Sequence, residues 1–560
     1  MTKNNLHKLE LRRNLLEQVK GKVELIEGFE DPDLKSYFAP YKQEFHGQNW
    51  FPVQRSQLIG DMLRADIILS ADFHAFAQSQ RTHLRLIRSL KKLNRPLVLA
   101  LECFESQHQE LLDEYMAGGI SEADFLEKIN WRERWGFPWS HYEPLVKIAK
   151  TRGYKVVGIN LISETTDSGT TTEDRDRHIA KIVQKIKQAQ KEALVYVVIG
   201  DLHVSSSHLP KSIEDFVPNQ NILSVFQNSE KLYFDLLADG IETKVDILKS
   251  KTLQYCILTS PPWVKWQNYL MFLEASDDSE IFMTYDDFYD EEDEDDDDEY
   301  EYEFVESYDV TDQLYSIFKF IIADLGIDVS FDHAQIFTEL SDFLIDELEE
   351  ILPKNKVKLI MEMVHNSRSF YVPELEVLYL ARLTTNHGSE LIGKYIQGQM
   401  SPSKRSLLDI PQDFRGLIWQ EMFSYFMSKV YNHKRKSINF KTLKSELHAI
   451  NPQDQDHGIL KLSLGQAAQD MLSPSNEFNV DRLNLPNLKP YSYLESARIL
   501  GQFKGERLFS MYQEEVIDRS EITSWLKINV FSEDFSLAYA DFIKRVFTKG
   551  DLKDRKEYIL

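Results

Sequence analysis

The stretch that decides the fold is the sequence DIILSADFH at residues 66–74. Its apolar run ends at a small residue, then Asp72, an apolar residue and His74, which is typical of a buried β-strand and the turn that follows it. A second stretch, LVYVVIGDLH at residues 194–203, ends in the same order and closes on His203. The sequence therefore predicts two buried strands, each with a His just past its carboxyl end.

A third apolar run, PLVLAL at residues 96–101, lies between the two copies and is followed directly by Glu102. In an open α/β sheet, ligands bind in the crevice outside the carboxyl ends of the strands. We therefore expect His74, Glu102 and His203 to converge at one cleft. The alternative for any single His after a strand is a hydrogen-bonded structural residue.

Predicted strands alternate with predicted helices along the first half of the chain, which indicates an α/β fold with a mostly parallel sheet and flanking helices. Residues 222–225 and 232–236 are interpreted as further strands at an edge of that sheet. From about residue 305 to residue 560 helical spacing dominates, which predicts a separate all-α domain of unknown role.

Four segments follow from these patterns and from the composition. Residues 286–303 contain 14 acidic residues and no basic one, and like charges this dense are typical of disorder. The predicted organisation is an N-terminal helix and irregular lead-in at 1–55, an α/β domain at 56–273, an acidic disordered linker at 274–304 and the all-α domain at 305–560.

Charge and cysteine usage limit the classes of protein that remain. The 560-residue chain carries a formal net charge of −25, which argues against nucleic acid and anionic lipid as partners. It has two cysteines, and no apolar run approaches the roughly 20 residues that a membrane helix needs. The N-terminal sequence also lacks the apolar region of a signal peptide. We therefore expect a cytoplasmic protein without a membrane span.

Imidazole and carboxylate groups suggest a metal site at the strand ends. His74, Glu102 and His203 are candidate ligands for Zn, Mn or Fe(II), because two His and a carboxylate leave coordination positions open for water. Glu102 is alternatively a general base, with the two His as further candidate catalytic residues. Asp72 and Asp201 either orient the imidazoles or cap the helices that follow, and capping is the interpretation favoured for each Asp alone.

Other polar and aromatic residues are candidates for lining the same cleft. Arg175 and His178 open a predicted helix, where they meet an anionic group or simply form a charged surface. Asn160 ends a predicted strand, and His208 follows the second motif by a short loop. The segment 131–142, which ends at Tyr142, holds five aromatic residues; it is interpreted as a platform for a planar ligand or as core packing.

Taken together, these motifs resemble the ChaN-like haem-binding family, which belongs with the TraB/Tiki and erythromycin-esterase-like group. The resemblance runs over about residues 56–270. The residues that carry it are DIILSADFH at 66–74 with Gln80, LALECF at 99–104, YEPL at 142–145, GIN at 158–160, GDLH at 200–203 and HLP at 208–210.

The resemblance implies an α/β fold with paired G-x-x-H elements, and either haem binding linked with iron acquisition or metal-dependent hydrolysis. Carried over by position, it makes His74, Glu102 and His203 the expected active-site set. The chain departs from the pattern at Ala71, which replaces the first motif glycine. It also lacks a lipoprotein signal, and its acidic and helical segments have no recognised counterpart.

The prediction is therefore a ChaN-like protein that holds haem, or another planar iron-related ligand, in a cleft at the carboxyl ends of the strands. The alternatives are a metal-dependent hydrolase with a His/Glu/His site, or a degenerate scaffold whose helical half binds a protein partner. The predicted cofactor is haem or a divalent metal. The ligand contacts are assigned to His74, His203, Tyr142, Asn160, Arg175 and His208.

Overall fold

The structure, a computed structural model, divides into two compact units, residues 1–300 and residues 301–560. The residues that the structure describes are 3–27, 32–161, 171–277, 310–332, 334–438, 440–451, 454–472 and 488–548. Within these residues, no helix is both long and apolar enough to cross a lipid bilayer.

The first unit is built on an eight-stranded sheet with the spatial order β1-β7-β8-β6-β2-β5-β3-β4. Strands β2, β3, β4, β5, β6 and β8 run parallel, whereas β7 pairs antiparallel with both β8 and β1. The strands are β1 (Phe51–Pro52), β2 (Ile67–Asp72), β3 (Leu97–Glu105), β4 (Lys155–Asn160), β5 (Leu194–Gly200), β6 (Ile222–Gln227), β7 (Ile247–Lys249) and β8 (Gln254–Ile257).

Helices cover both faces of this sheet, as the alternation of strands and helices predicts. They are α1 (Lys3–Glu27), α2 (Pro32–His46), α3 (Arg55–Arg64), α4 (Ala77–Ser89), α5 (Gln109–Met116), α6 (Glu122–Lys128), α7 (Trp131–Arg134), α8 (Trp139–Arg152), α9 (Thr172–Ala189), α10 (Leu209–Phe216), α11 (Glu230–Asp239) and α12 (Pro262–Asp277). Short 3-10 turns at Ser106–His108 and Asp201–Val204 follow β3 and β5.

The central strands are continuous apolar runs because the sheet is packed on both faces. Every residue of β2 and of β3 is buried, which is the expected state of a parallel strand between two layers of helices. Alternate residues enter two separate cores. Ile68 packs on the side of α3, α4 and α8, and Ile67 packs on the side of α2, α9 and α10. The fold class predicted for this half is confirmed.

Three local interpretations of the first unit differ from the structure. The lead-in to residue 55 is not irregular, because Pro32–His46 forms helix α2 with Pro40 inside it. Residues 232–236 belong to helix α11 rather than to a strand, and β6 lies in the interior of the sheet, between β2 and β8. Short apolar runs do not distinguish a buried strand from a buried helix, which explains the error at 232–236.

The second unit is mainly helical, as predicted. Its helices are α13 (Thr311–Leu325), α14 (Asp342–Ile351), α15 (Lys354–His365), α16 (Thr385–Met400), α17 (Phe414–Tyr431), α18 (Phe440–Ala449), α19 (Gln455–Leu472), α20 (Pro490–Gln513), α21 (Arg519–Leu526) and α22 (Phe535–Thr548). Three short strands, β9 (Gln335–Phe337), β10 (Phe370–Val372) and β11 (Val377–Tyr379), form a small sheet in the order β10-β11-β9.

This small sheet corrects the expectation of an all-α domain. Within residues 305–560, the helical spacing over 335–352 and over 374–397 predicts two helices, but each of these segments contains a three-residue strand near its start. Strands this short carry too few residues to show an alternation of period two. Most of the predicted acidic linker, from residue 278 onward, lies outside the described residues.

Candidate functional site

The site is assembled at the carboxyl ends of three neighbouring strands, because β5 lies between β2 and β3 in the sheet. His74 follows β2, Glu102 lies on β3 and His203 follows β5. The Nε2 atom of His74 lies 3.6 Å from one carboxylate oxygen of Glu102, and the Nε2 atom of His203 lies 3.9 Å from the other. The structure therefore brings together the three residues that the sequence places at strand ends.

Glu102 is the acidic centre of this group and is almost fully buried. Its Oε1 atom accepts a hydrogen bond from Arg175, and its Oε2 atom accepts one of 2.6 Å from the Gly200 backbone N–H. Burial acts to raise the pKa of Glu102, but the positive charges of Arg175, His74 and His203 outweigh it and hold that pKa below its ordinary value. Glu102 is therefore an ionised carboxylate that is already held by two donors.

His74 is the member of the group that solvent reaches, with 23% of its side chain exposed. Its Nδ1 atom lies 3.0 Å from the Asp72 carboxylate, and the Tyr142 hydroxyl lies 3.2 Å from the same nitrogen. Burial acts to lower the pKa of His74, but the hydrogen bond with Asp72 and the negative charge of Glu102 outweigh it and hold that pKa above its ordinary value.

Asp72 orients the imidazole of His74 and does not cap a helix. The Asp72 carboxylate accepts hydrogen bonds from Tyr142 at 2.9 Å and from Gln80 at 2.8 Å, and it lies 3.3 Å from His83 Nε2. Burial acts to raise the pKa of Asp72, but its hydrogen bonds with His74 and His83 lower it far below the ordinary value. This network fixes the ring position of His74, a role usual for carboxylates behind a ligating His.

Aromatic rings border His74 on its exposed side. The Trp135 ring centroid lies 4.7 Å from that of His74, and the Phe137 centroid lies 5.2 Å from it. Both rings are half-buried, whereas Trp131 and Trp139 of the same segment are buried in the core. The segment at residues 131–142 is therefore divided: Trp131 and Trp139 pack in the core, whereas Trp135 and Phe137 lie beside His74.

His203 has a similar hydrogen-bonding pattern but is sealed, with 5% of its side chain exposed. Its Nδ1 atom lies 2.7 Å from the Asp176 carboxylate and 3.2 Å from the Tyr37 hydroxyl, and Tyr37 also donates to Asp176. His208 stacks on Tyr37 with ring centroids 3.6 Å apart, so it lies behind His203 rather than beside His74. These rings close the second half of the site.

The remaining predicted residues occupy different positions. Asn160 is buried, and its side-chain oxygen lies 3.3 Å from a nitrogen of Arg175, the residue that bonds Glu102. His178 does not join the group, because its Nε2 atom lies 2.9 Å from the Ser106 hydroxyl. Asp201 also does not touch either imidazole: it accepts a hydrogen bond of 3.2 Å from Tyr41, and burial raises its pKa.

Two buried nitrogen donors around His74 have no hydrogen-bond partner among the described residues. They are Nε of Arg175 and Nε1 of Trp135. An unpaired buried N–H group costs about 1–3 kcal/mol, so such groups are uncommon without a reason. Both belong to residues that contact the His74–Glu102 pair directly.

A divalent-metal site at these residues is not supported. Across the described part of the chain, no group of three His, Cys, Asp or Glu side chains is arranged to hold a metal ion. Glu102 is already paired with the Arg175 guanidinium, and His203 uses its Nδ1 atom on Asp176. The predicted His74, Glu102 and His203 ligand set therefore does not have the arrangement that the metal-dependent hydrolase requires.

Two residues of the site were not predicted from the sequence. Asp176 directly follows Arg175 on α9, and its position next to a predicted site residue is a signal that the sequence contained. Tyr37 lies on α2, in a segment interpreted as irregular, and no local pattern indicates that it reaches His203. Long-range contacts of this kind depend on how a helix docks on the sheet.

Comparison with known proteins agrees with the resemblance stated above. Residues 58–171 match the family described as haem-binding uptake, Tiki superfamily, ChaN, so the predicted resemblance is confirmed over that segment. Among solved structures, the chain is similar to ChaN of Campylobacter jejuni, whose structure is titled as cofacial haem binding. The match has 18% sequence identity and a TM-score of 0.27, and it covers 32% of this chain and 87% of that one. A search of curated proteins returned no match.

Proposed function

We propose that the first unit binds haem and that the His74 imidazole would be the protein ligand that holds the iron. The observation that carries this proposal is the state of the His74 imidazole. Its Nδ1 atom is held by Asp72, while the Glu102 oxygen beside its Nε2 atom lies beyond hydrogen-bond distance at 3.6 Å. A His whose far nitrogen is anchored by a carboxylate presents the other as a metal ligand, and His is a common haem ligand.

The surroundings of His74 suit a flat, mostly apolar ligand with acidic groups. Trp135 and Phe137 offer half-buried ring surface next to the imidazole. The unpaired N–H groups of Arg175 and Trp135 can each donate a hydrogen bond to a ligand carboxylate. The matched family is described as haem-binding, which agrees with such a ligand.

In this proposal the other site residues position and tune His74. Asp72, held by Tyr142 and Gln80, keeps the Nδ1 proton in place and thereby directs the Nε2 lone pair outward. Glu102 adds negative charge near Nε2, and Arg175 balances that charge from the opposite oxygen. His203 completes the buried side of the site and is not assigned contact with the iron.

Titration of the full chain with hemin, followed by the Soret absorption band, tests the proposal. We expect a saturable red shift of the Soret band for the wild-type chain and a loss of affinity of about 100-fold or more for His74→Ala, since a metal–ligand bond is removed. His178→Ala is the matched control, because it removes an imidazole that bonds with the Ser106 hydroxyl and does not join the His74–Glu102 group. A wild-type chain without a Soret shift, or a His74→Ala variant that binds hemin like the control, would overturn the assignment.

A further inference from the structure

The second unit contains a cavity of about 110 Å³ that no part of the proposed haem site uses. Helices α15, α16, α17 and α20, strand β10 and the loop at residues 406–408 supply its walls. One water occupies about 10–15 Å³ on this measure of volume, so the cavity has room for roughly eight water-sized groups. A space of this size accommodates a small organic molecule.

The wall of this cavity is unusually rich in charged side chains. Four are cationic and three are anionic: Arg368, Lys394, Arg435 and Arg498 against Glu390, Glu421 and Glu495. Lys394 lies 2.7 Å from Glu421, and Arg435 lies 2.7 Å from Glu390. The third acid, Glu495, lies between two arginines and also accepts a hydrogen bond of 3.2 Å from Tyr491.

Glu495 accepts from both of these arginines at once. The Arg368 guanidinium binds it through two nitrogens at 2.9 and 3.0 Å, and Arg498 Nε lies 3.0 Å from its Oε2 atom. Burial acts to raise the pKa of Glu495, but Arg498 and Arg368 outweigh it and hold that pKa below its ordinary value. Two guanidinium groups thus share one carboxylate, so the Lys, Arg and Glu side chains of the cavity wall carry one more positive charge than negative charges.

Part of the lining is apolar. Leu391 of α16, Leu407 of the loop at residues 406–408 and Leu417 of α17 contribute aliphatic surface to the same cavity. Arginine groups bind carboxylates through paired N–H donors, and aliphatic surface favours a hydrocarbon group. A cavity with an excess positive charge and an apolar wall favours a ligand that combines a carboxylate with a hydrocarbon group.

We propose that this cavity is a binding site for a small organic acid, whose carboxylate is bound by Arg368 and Arg498 and whose short hydrocarbon chain packs on the leucines. The built-in carboxylate of Glu495 occupies the same two guanidinium groups, so it mimics the ligand acid and competes with it. The site lies within the second unit and is independent of the proposed haem site.

Isothermal titration of the full chain with hexanoate tests this proposal, because hexanoate has about eight non-hydrogen atoms and one carboxylate. Hexanol is the matched neutral probe. We expect hexanoate to bind and hexanol to bind at least about tenfold more weakly, as the loss of a charge-assisted hydrogen bond requires. Equal affinity for the two probes, or no hexanoate binding up to about 10 mM, would overturn the proposal.

Two variants with opposite expected effects locate the site. Arg498→Gln should weaken hexanoate binding about tenfold, because one of the two guanidinium donors is lost. Glu495→Gln keeps the shape of the side chain but removes the competing negative charge, so it should tighten binding several-fold. Lys527→Gln, at an exposed position outside the cavity lining, serves as the control. General destabilisation weakens binding in both cavity variants, so weaker binding by Glu495→Gln would contradict the proposal. The hexanoate–hexanol comparison on the wild-type chain needs no variant.

Discussion

The two copies of the Asp–apolar–His motif read almost alike in the sequence but have different environments in the fold. His74 is 23% exposed and borders the rings of Trp135 and Phe137. His203 is 5% exposed and is closed off by Tyr37. The Nδ1 atom of each imidazole lies beside a buried aspartate, so the two His residues share this hydrogen-bonding arrangement. They differ in how far solvent reaches the side chain. The comparison teaches that only one of the two His residues is available to a ligand.

Strand register explains part of this difference. In the pairing of β2 with β5, Asp72 lies opposite Gly200 and Ala71 lies opposite Ile199, so the second motif is displaced by one residue along the sheet. Asp72 is the last residue of its strand, whereas Asp201 begins a 3-10 turn. Successive side chains of a strand point to opposite faces, so a displacement of one residue changes the partners of equivalent letters.

The largest expected effect that separates the two copies is on stability. His203→Ala should lower the free energy of unfolding by about 2–3 kcal/mol, because it leaves the Asp176 carboxylate buried with fewer partners. His74→Ala should cost less than about 1 kcal/mol, since His74 is partly exposed and the Asp72 carboxylate keeps its hydrogen bonds from Tyr142 and Gln80. Native-state hydrogen exchange of residues 194–204 measures this difference. Equal protection in the two variants would show that His203 is no more structural than His74.

A pH titration sharpens the account of His74. Its imidazolium is stabilised, so its pKa lies above the ordinary value of about 6.5, and protonation of Nε2 competes with iron. Hemin affinity should therefore fall as the pH drops through that raised pKa. Asp72→Asn removes the main hydrogen-bonding carboxylate, so it should move the midpoint of this fall to lower pH. Hemin binding measured from pH 5 to pH 9 gives both midpoints, and an unmoved midpoint in Asp72→Asn would contradict the role of Asp72.

The smallest effect concerns the aromatic border. Trp135→Leu should weaken hemin binding about threefold to tenfold, because ring contacts of this kind contribute about 0.5–1.5 kcal/mol. Trp50→Leu is the matched control, since that indole packs on Phe45 and Phe226 instead. Fluorescence quenching by hemin measures both affinities. If both variants lose affinity equally, the rings beside His74 have no special contact with the ligand.

Much of the central sheet could be predicted because its strands are buried on both faces and therefore appear as unbroken apolar runs. The convergence of His74 and Glu102 follows from the same runs, since parallel strands end at a common edge. The position of β6 and the strands β9, β10 and β11 could not be predicted in this way. The strands β9, β10 and β11 have three residues each, which is too few to show a pattern, and the order in which strands pair is not encoded in the apolar run of β6.

The surroundings of His203 could not be predicted from the sequence, for a different reason. Tyr37 reaches His203 across 166 positions of the chain, from a helix that carries Pro40 and was interpreted as irregular. Asp176 reaches the same imidazole from the first turns of α9. The partners of His203 depend on how two helices dock against the sheet, so its burial is a tertiary property rather than a property of the motif.

The most direct measurement of the central claim is chemical rescue of the proposed iron ligand. His74→Gly and His203→Gly are each mixed with hemin, passed through a gel-filtration column, and then titrated with imidazole while the Soret band is followed. The account predicts that His74→Gly loses the wild-type band position and that added imidazole restores it, whereas His203→Gly keeps the wild-type position without imidazole. Rescue of His203→Gly alone, or a wild-type band in His74→Gly before imidazole is added, would contradict the account.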